Sequence, residues 1–391
     1  HPQYAGQMLK PPHPVARMAY ALSLWVNPNN HALDGGRASS AMEKECVVEL
    51  GRMFGWDAPL GHLAGGGTMA NLESLWVSGR LHPGKRVIAS EQAHYTHSRI
   101  TEVLGIPFAA VEVDERGRMD VAAIEAQLAK GDVGTIVVTI GSTGLGALDP
   151  LPAILDLRAK YEFRIHADAA YGGYFGLASE LDEASQAVFD ALGEVDSIVI
   201  DPHKHGLQPY GCGCVMFRDP SVGALYKHDS PYTYFSSGDL HLGEITLECS
   251  RPGASAVALW ATQQLLPLER GGEFAAGLDA CLRAARMFWQ DLHNSSTFTP
   301  LMQPELDIVV YAVNAATTSE SSVKARQIFT EAAKRELHLA LVEWPVDVVS
   351  RDAPEIDVDS ETVTCLLSVL MKPEHENWLE RITALLEASA L

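Results

Sequence analysis

From residue 67 onward, helical stretches alternate with short apolar runs: RVIAS, FAAVEV, TIVVTI, FRIHADAA, SIVIDPH and CVMF. Runs of this kind between helices are the mark of a mainly parallel sheet covered by helices on both faces. Before them, residues 12–26 (PHPVARMAYALSLWV) and 39–54 (SSAMEKECVVELGRMF) carry apolar residues at helical spacing. Ser39 or Ser40 is available to cap the second helix, and the turn-rich loop NPNNHALDGGR lies between the two. Residues 252–292 read as helical, first ASAVALWATQQLL and then FAAGLDACLRAARMFWQDL. A smaller α/β set follows: LDIVVYAV, a helix over 321–335, LALVEW, TVTCLLSVL and a closing helix from 374. The expected fold class is α/β, with an N-terminal helical arm (1–55), a large domain built on the parallel sheet (56–270) and a small C-terminal α/β domain (271–391).

Composition narrows the partners. Acidic residues outnumber basic ones by 50 to 29 over 391 residues, and the sequence has no basic patch. Such a surface repels nucleic-acid backbones and anionic headgroups, so neither nucleic acid nor membrane is expected as a partner. The longest apolar runs fall short of the roughly 20 residues that a membrane-spanning helix needs. The opening at His1, with no methionine or signal pattern, points to trimmed upstream residues and leaves targeting open. Six cysteines at irregular spacings read as reduced thiols of a cytoplasmic protein.

In a parallel sheet the carboxyl ends of the strands converge on the edge where ligands bind, and four features of the sequence fall there. The loop GGGT (65–68) opens a helix: it is either a tight turn capped by Thr68 or an anion cradle of backbone N–H groups, with Asn71 one turn on as an extra donor. Asp168 ends FRIHAD, either as a cap or as a buried carboxylate that needs a cationic or N–H partner. His94 follows VIAS, either as a satisfied interior histidine or as a ring that stacks on another ring. Lys204 follows SIVI in DPHKHG, and a lysine at a buried strand end is rare. Desolvation favours its neutral amine, the form that attacks a carbonyl to make a Schiff base. Together these four match the needs of pyridoxal phosphate (PLP): a phosphate cradle, a stacking group, a carboxylate for a pyridinium and a lysine for the aldehyde. The 36 residues from Asp168 to Lys204 are about one strand-to-strand crossover.

At these residues the chain resembles the group II PLP-dependent amino-acid decarboxylases, which include the aromatic-amino-acid, tyrosine and glutamate decarboxylases. The resemblance spans nearly the whole length, beginning with HPQYAGQM. It implies the aspartate-aminotransferase-like fold type I of PLP-dependent transferases, decarboxylation of an L-amino acid, and a homodimer with its active sites at the subunit interface. It also implies residue roles. QAHYTHSR places His94 on the cofactor ring, and HADAAYGG places Asp168 at the pyridine nitrogen with Ala170 on the other face. DPHKHG makes Lys204 the lysine bonded to the cofactor, with His203 and Asp201 beside it. GGGTMAN gives Gly67 and Thr68 for the phosphate, and GSTGLGALDP brings Thr143 near the cofactor. Animal members carry asparagine where this chain has Asp201, and the DPHK form is closer to archaeal tyrosine/aspartate decarboxylase-like members. TLECSRPGASAVALW resembles a stretch of that branch and makes Arg251 a candidate for phosphate or substrate.

The family draws the acid that reprotonates the α-carbon from a mobile loop. Within YKHDSPYTYFSSGD the candidates are Tyr226, Tyr232 and Tyr234, which would otherwise line a dimer contact. Asn29, His31 and Arg37, on a loop that in relatives lies near the partner's cofactor, either bind the substrate side chain or cap helices. Three rivals stand beside this reading. The pairs His94/His97 and His203/His205, with Asp168, would serve a metal hydrolase, although that leaves the lysine and the glycine turn unused. The other two are a carbon–carbon lyase of the sphingosine-phosphate-lyase type and a catalytically silent decarboxylase fold kept as an interaction dimer.

Overall fold

All six apolar runs are strands of one sheet in the computed structural model, which describes residues 1–227 and 239–391. The strands are β1 (Leu60–Ala64), β2 (Arg86–Ser90), β3 (Phe108–Val111), β4 (Val133–Thr139), β5 (Arg164–Asp168), β6 (Ser197–Ile200) and β7 (Gly213–Phe217). They lie in the order β1-β7-β6-β5-β4-β2-β3. The pairs among β2 to β6 are parallel, and β7 runs antiparallel to both β6 and β1. Strand β1 was not legible as a strand, because glycine and histidine interrupt its five residues.

The helices in chain order are α1 (Pro14–Ser23), α2 (Leu33–Met53), α3 (Gly67–Leu81), α4 (Thr96–Leu104), α5 (Val121–Leu128), α6 (Leu151–Asp156), α7 (Glu183–Asp190), α8 (Gly253–Leu265), α9 (Glu273–His293), α10 (Thr318–Lys334), α11 (Val346–Asp352) and α12 (Leu379–Ser389). The period-2 alternation of side chains along a strand decides which helices each strand touches. Ile136, Val138, Ile198 and Ile200 join a core shared with Cys46 and Leu50 of α2 and Ile154 of α6. Val137 faces the other way, toward Leu75 of α3 and Ile100 of α4, and Val199 and Val215 pack with Ala70 and Val77 of α3. Both faces of the sheet are therefore dry, which explains the lack of hydrophobic–polar alternation in TIVVTI and SIVI.

The C-terminal strands form a second, antiparallel sheet: β8 (Phe298–Pro300), β9 (Ile308–Val313), β10 (Ala340–Pro345) and β11 (Thr362–Val369), in the order β10-β11-β9-β8. Val309, Tyr311 and Val313 pack beneath α9, α10 and α12, whereas Ile308, Val310 and Ala312 join the large core. The first residues of the chain are not helical. The Ala5 amide donates to the His338 carbonyl (2.8 Å), and the Val369 amide to the Ala5 carbonyl (2.7 Å), so this segment lies along the small sheet before α1 begins.

Two expected caps are not caps. Helix α2 starts at Leu33, inside the expected loop, and is broken at Gly36. Ser39 is therefore within the helix, and its hydroxyl donates to the Gly36 carbonyl (3.1 Å) and to Asn30 Oδ1. Helix α3 starts at Gly67 with Gly66 at the cap position, so Thr68 lies inside the first turn and caps nothing.

Glu43, buried on α2, ties several elements together. Its carboxylate accepts from Asn30 Nδ2 (2.5 Å), the Leu63 amide (2.9 Å) and Arg251 Nη1 (2.7 Å). Replacing it with alanine leaves a buried guanidinium without a counter-charge, so Glu43→Ala is expected to lower unfolding stability by about 3–5 kcal/mol. In urea titrations the double variant Glu43→Met/Arg251→Met should recover most of that loss; an equal loss in single and double variants would contradict this account.

Candidate active site

Strands β4, β5 and β6 end side by side, because the register sets Thr139 opposite Asp168 and Asp168 opposite Val199. A cavity of about 300 Å³ opens over these ends. Gly67, Thr68, Asn71, His94, Thr143, Asp168, Ala170, Asp201, His203 and Lys204 all line it. The topology thus brings together residues spread over nearly 140 positions of the chain.

Asp168 is buried and ionised. Its Oδ2 lies 2.8 Å from His97 Nε2 and accepts from Asn71 Nδ2 (3.3 Å), and its Oδ1 accepts from the Ala170 amide (3.2 Å). Burial alone would raise the pKa of this carboxyl. The hydrogen bond and charge of His97, helped by the charge of Lys204, outweigh it and hold the pKa well below the usual carboxylate range. Asn71 also accepts, through Oδ1, from His166 Nε2 (2.7 Å). With the proton on Nε2, His166 Nδ1 is an acceptor, and it lies 2.9 Å from the hydroxyls of both Ser74 and Ser197. Burial, seconded by the charge of His97, pushes the pKa of His166 down to about 3, so the ring stays neutral.

Lys204 is less enclosed than the buried strand end implied. Its side chain is 20% exposed, and its Nζ lies 3.1 Å from Asp201 Oδ2. That carboxylate, 3% exposed, faces His203 Nε2 at 3.5 Å, and its Oδ1 has no hydrogen-bond partner among the described residues. His203 Nδ1 donates to the Cys212 carbonyl (2.8 Å), which fixes its ring. His94 stacks on Tyr95 with centroids 4.5 Å apart, and burial depresses its pKa.

The glycine turn is close-packed. A β-carbon on Gly67 would meet Asp201 Oδ2 at 2.8 Å, one on Gly213 would strike Gly66 at 2.5 Å, and Gly66 itself has a φ of 143°. Only glycine fits there. Helix α3 has no side-chain cap, and its first intrahelical bond runs from the Ala70 amide to the Gly66 carbonyl, so the amides of its first turn point out at the cavity end.

Other predicted residues lie elsewhere. Asn71 commits its amide to Asp168 and His166 rather than to the glycine turn. Arg251 is buried against Glu43 and the Leu63 carbonyl, away from this cavity. Asn29 Nδ2 donates to Ser250 Oγ (3.1 Å), and His31 packs against Gly243; neither lines the cavity. Tyr226 is buried beside Glu73 and Trp76, while Tyr232 and Tyr234 lie outside the described residues. The two histidine pairs diverge: His97 turns to Asp168, whereas His94 stacks on Tyr95, and His203 faces Asp201, whereas His205 faces Asp307 at 3.3 Å. Among the described residues no group of three His, Cys, Asp or Glu is placed to hold a metal ion. Met8, Thr96, Thr139, Tyr171 and Tyr210 also line the cavity and were not foreseen. His97 was foreseen only as a metal ligand; its place on the first turn of α4, three residues after His94, was the available signal.

The profile of the pyridoxal-dependent decarboxylase conserved domain matches residues 73–314. The chain belongs to that family. It is a PLP-dependent carboxy-lyase acting on amino acids. The decarboxylase is 30% identical, over 82% of each chain, to the L-aspartate decarboxylase of Thermococcus kodakarensis. It is 28% identical, over 82% of this chain and 85% of the relative, to a probable L-aspartate decarboxylase of Pyrococcus furiosus. An L-tyrosine decarboxylase of Levilactobacillus brevis is 26% identical over 80% of this chain and 67% of its own. In fold, mouse CSAD superposes with a TM-score of 0.86 at 20% identity, covering all of this chain and 84% of the other. Oryza sativa TDC with PLP and tryptamine superposes with a TM-score of 0.85 at 17% identity, covering all of this chain and 83% of the other.

His166 gives the decarboxylase a pH signature. Its folded pKa lies below its unfolded value of about 6.5, so the unfolded chain binds the extra proton and stability is lost as pH falls through that window. Between about pH 7 and about pH 5 this histidine alone should remove about 2 kcal/mol. Denaturation of wild type and His166→Gln at both pH values should show a smaller loss in the variant; equal losses would contradict the assignment.

Proposed function

We propose that this decarboxylase removes the α-carboxylate of L-aspartate as carbon dioxide and leaves the corresponding amine. One observation carries the assignment of its catalytic centre: Lys204 and Asp168 follow neighbouring parallel strands and face one cavity together with the N-terminus of α3. The residues fit PLP, which when bound supplies the electron sink for the bond that breaks. Lys204 would supply the amine that holds the cofactor aldehyde, and Asp201, 3.1 Å from that amine, would orient it. Asp168, held by His97 and Asn71, would keep a proton at the ring nitrogen. His94 and Ala170 would pack against the ring, His203 would flank the lysine, and Thr143 would lie near the cofactor. The first-turn amides of α3 at Gly67 and Thr68 take the phosphate. Tyr232 and Tyr234 are the proposed sources of the proton returned to the α-carbon.

The names of the archaeal relatives support L-aspartate as substrate. Lys204 is the only lysine or arginine lining the cavity among the described residues, so the contacts to the substrate's own side chain are assigned to a second copy. The loop bearing Asn29 and His31, with the exposed Arg37 in the following helix α2, reaches across a homodimer to provide them. Met18, Leu22, Leu24, Trp25 and Val26, which lead into that loop, are all more than half exposed, and a solvated apolar stripe of this size supports burial against a partner. The six cysteines, none of them in a disulfide, support a cytoplasmic setting.

Carbon dioxide and amine release should be measured for L-aspartate, L-glutamate, L-tyrosine and the other common amino acids, with L-aspartate expected to give the highest kcat/KM. A protein that binds PLP yet decarboxylates none of them would favour the carbon–carbon lyase or the silent dimer. Lys204→Ala should lose the visible absorbance of the covalently held cofactor and slow carbon dioxide release by a factor on the order of a thousand. Retention of that absorbance would remove Lys204 from its role. Leu22→Asp/Trp25→Asp should sediment as a monomer and lose activity; a fully active monomer would refute the shared site.

A further inference from the structure

A second cavity, of about 530 Å³, shares the DPHKHG turn with the first: Lys204 lines one and His205 the other. Its walls come from the segment leading into α1, from α9 and from the turn after β11, and its charged residues are Lys10, Arg17, Lys372, Glu273 and Glu374. In a chain of net charge −21, this pocket carries three fixed cations against two carboxylates.

Lys372, 4% exposed, is held in place. Its Nζ donates to the Tyr4 carbonyl (2.6 Å) and lies 5.4 Å from the centre of the Tyr4 ring. Lys10, 9% exposed, has neither a hydrogen bond nor an ion pair from its ammonium among the described residues. The nearby buried acid, Asp307, is only partly engaged: its Oδ1 accepts from the Tyr171 hydroxyl (2.5 Å), and its Oδ2 lies 3.3 Å from His205 without a hydrogen bond among the described residues. Burial first, and the charge of Lys10 second, push the pKa of Lys372 down to about 8 against the opposing charges of Glu374 and Asp307. The Lys10 ammonium reaches solvent, so it is open to a ligand, and a bound anion there would add counter-charge beside Lys372.

We propose that this cavity binds a small dianion, a phosphate group or a short dicarboxylate, between Lys10 and Lys372. Arg17 at the rim has the planar donor fork suited to such an oxyanion. Because His205 lies against Asp307, and Asp307 accepts from Tyr171 on the wall of the first cavity, the two cavities share one partition of polar side chains.

The test uses the full chain loaded with PLP, so that the glycine turn is filled, and titrates inorganic phosphate and succinate separately by calorimetry at constant ionic strength. One saturable site per chain is expected, with affinity weakened on the order of tenfold in Lys10→Met, in line with the loss of one charge-assisted hydrogen bond. Binding of phosphate alone identifies a phosphate group, and binding of succinate alone a dicarboxylate; both outcomes support the site. At a fixed concentration the anion should raise Tm more in wild type than in Lys10→Met. In anion-free buffer the pKa of Lys372 should rise in Lys10→Met, because the like charge beside it is gone. Lys10→Gln replaces it if the methionine variant does not fold. No saturable binding of either anion, or equal affinity in wild type and variant, overturns the proposal. The readout is binding and melting, so it stands or falls separately from the choice of amino-acid substrate.

Discussion

A carboxylate withdrawn from water at the end of a central strand must be compensated where it stands, and the arrangement around Asp168 follows from that constraint. Left alone, its charge would be expelled by protonation. His97 supplies the principal hydrogen bond and charge, Asn71 and the Ala170 amide add further donors, and Asn71 is fixed in turn by His166 and the serines behind it. This polar chain reaches from α3 and α4 into the middle of the sheet. It sets the side-chain orientations at one wall of the cavity before any ligand arrives.

The same logic recurs across the molecule. Glu43 gathers Arg251, Asn30 and the β1 backbone around one buried negative charge, and Asp307 gathers Tyr171 and His205 around another. Each hub joins elements distant in sequence, so each is a point where packing and electrostatics must agree. The DPHKHG turn lies between two of these hubs. Its lysine and its second histidine therefore line different cavities although they are adjacent in the chain.

The large sheet could be read from the chain because its central strands are apolar on both faces, and the cofactor-binding candidates because each follows such a strand or opens a glycine-flanked helix. Strands β1 and β8 escaped notice: the first contains glycine and histidine, and the second is three residues long. Ser39 and Thr68 have the chemistry of caps, yet α2 begins six residues before Ser39 and α3 one residue before Thr68. Cap propensity is local, whereas these helix starts are set by what the backbone packs against. Arg251 matched a family stretch, but a matched stretch does not say which way a side chain turns, and Glu43 lies 208 positions away.

By itself the sequence determined the fold class, the strand ends and the set of residue types suited to PLP, because period, strand length and glycine placement are short-range properties. Tertiary structure alone decided who compensates whom: that His97 meets Asp168, that Asn71 serves that aspartate instead of the glycine turn, and that the Lys10 ammonium has no partner among the described residues. These outcomes depend on distances between segments far apart in the chain. The cost of an unpaired charge in a dry interior, rather than any local preference, selects among them.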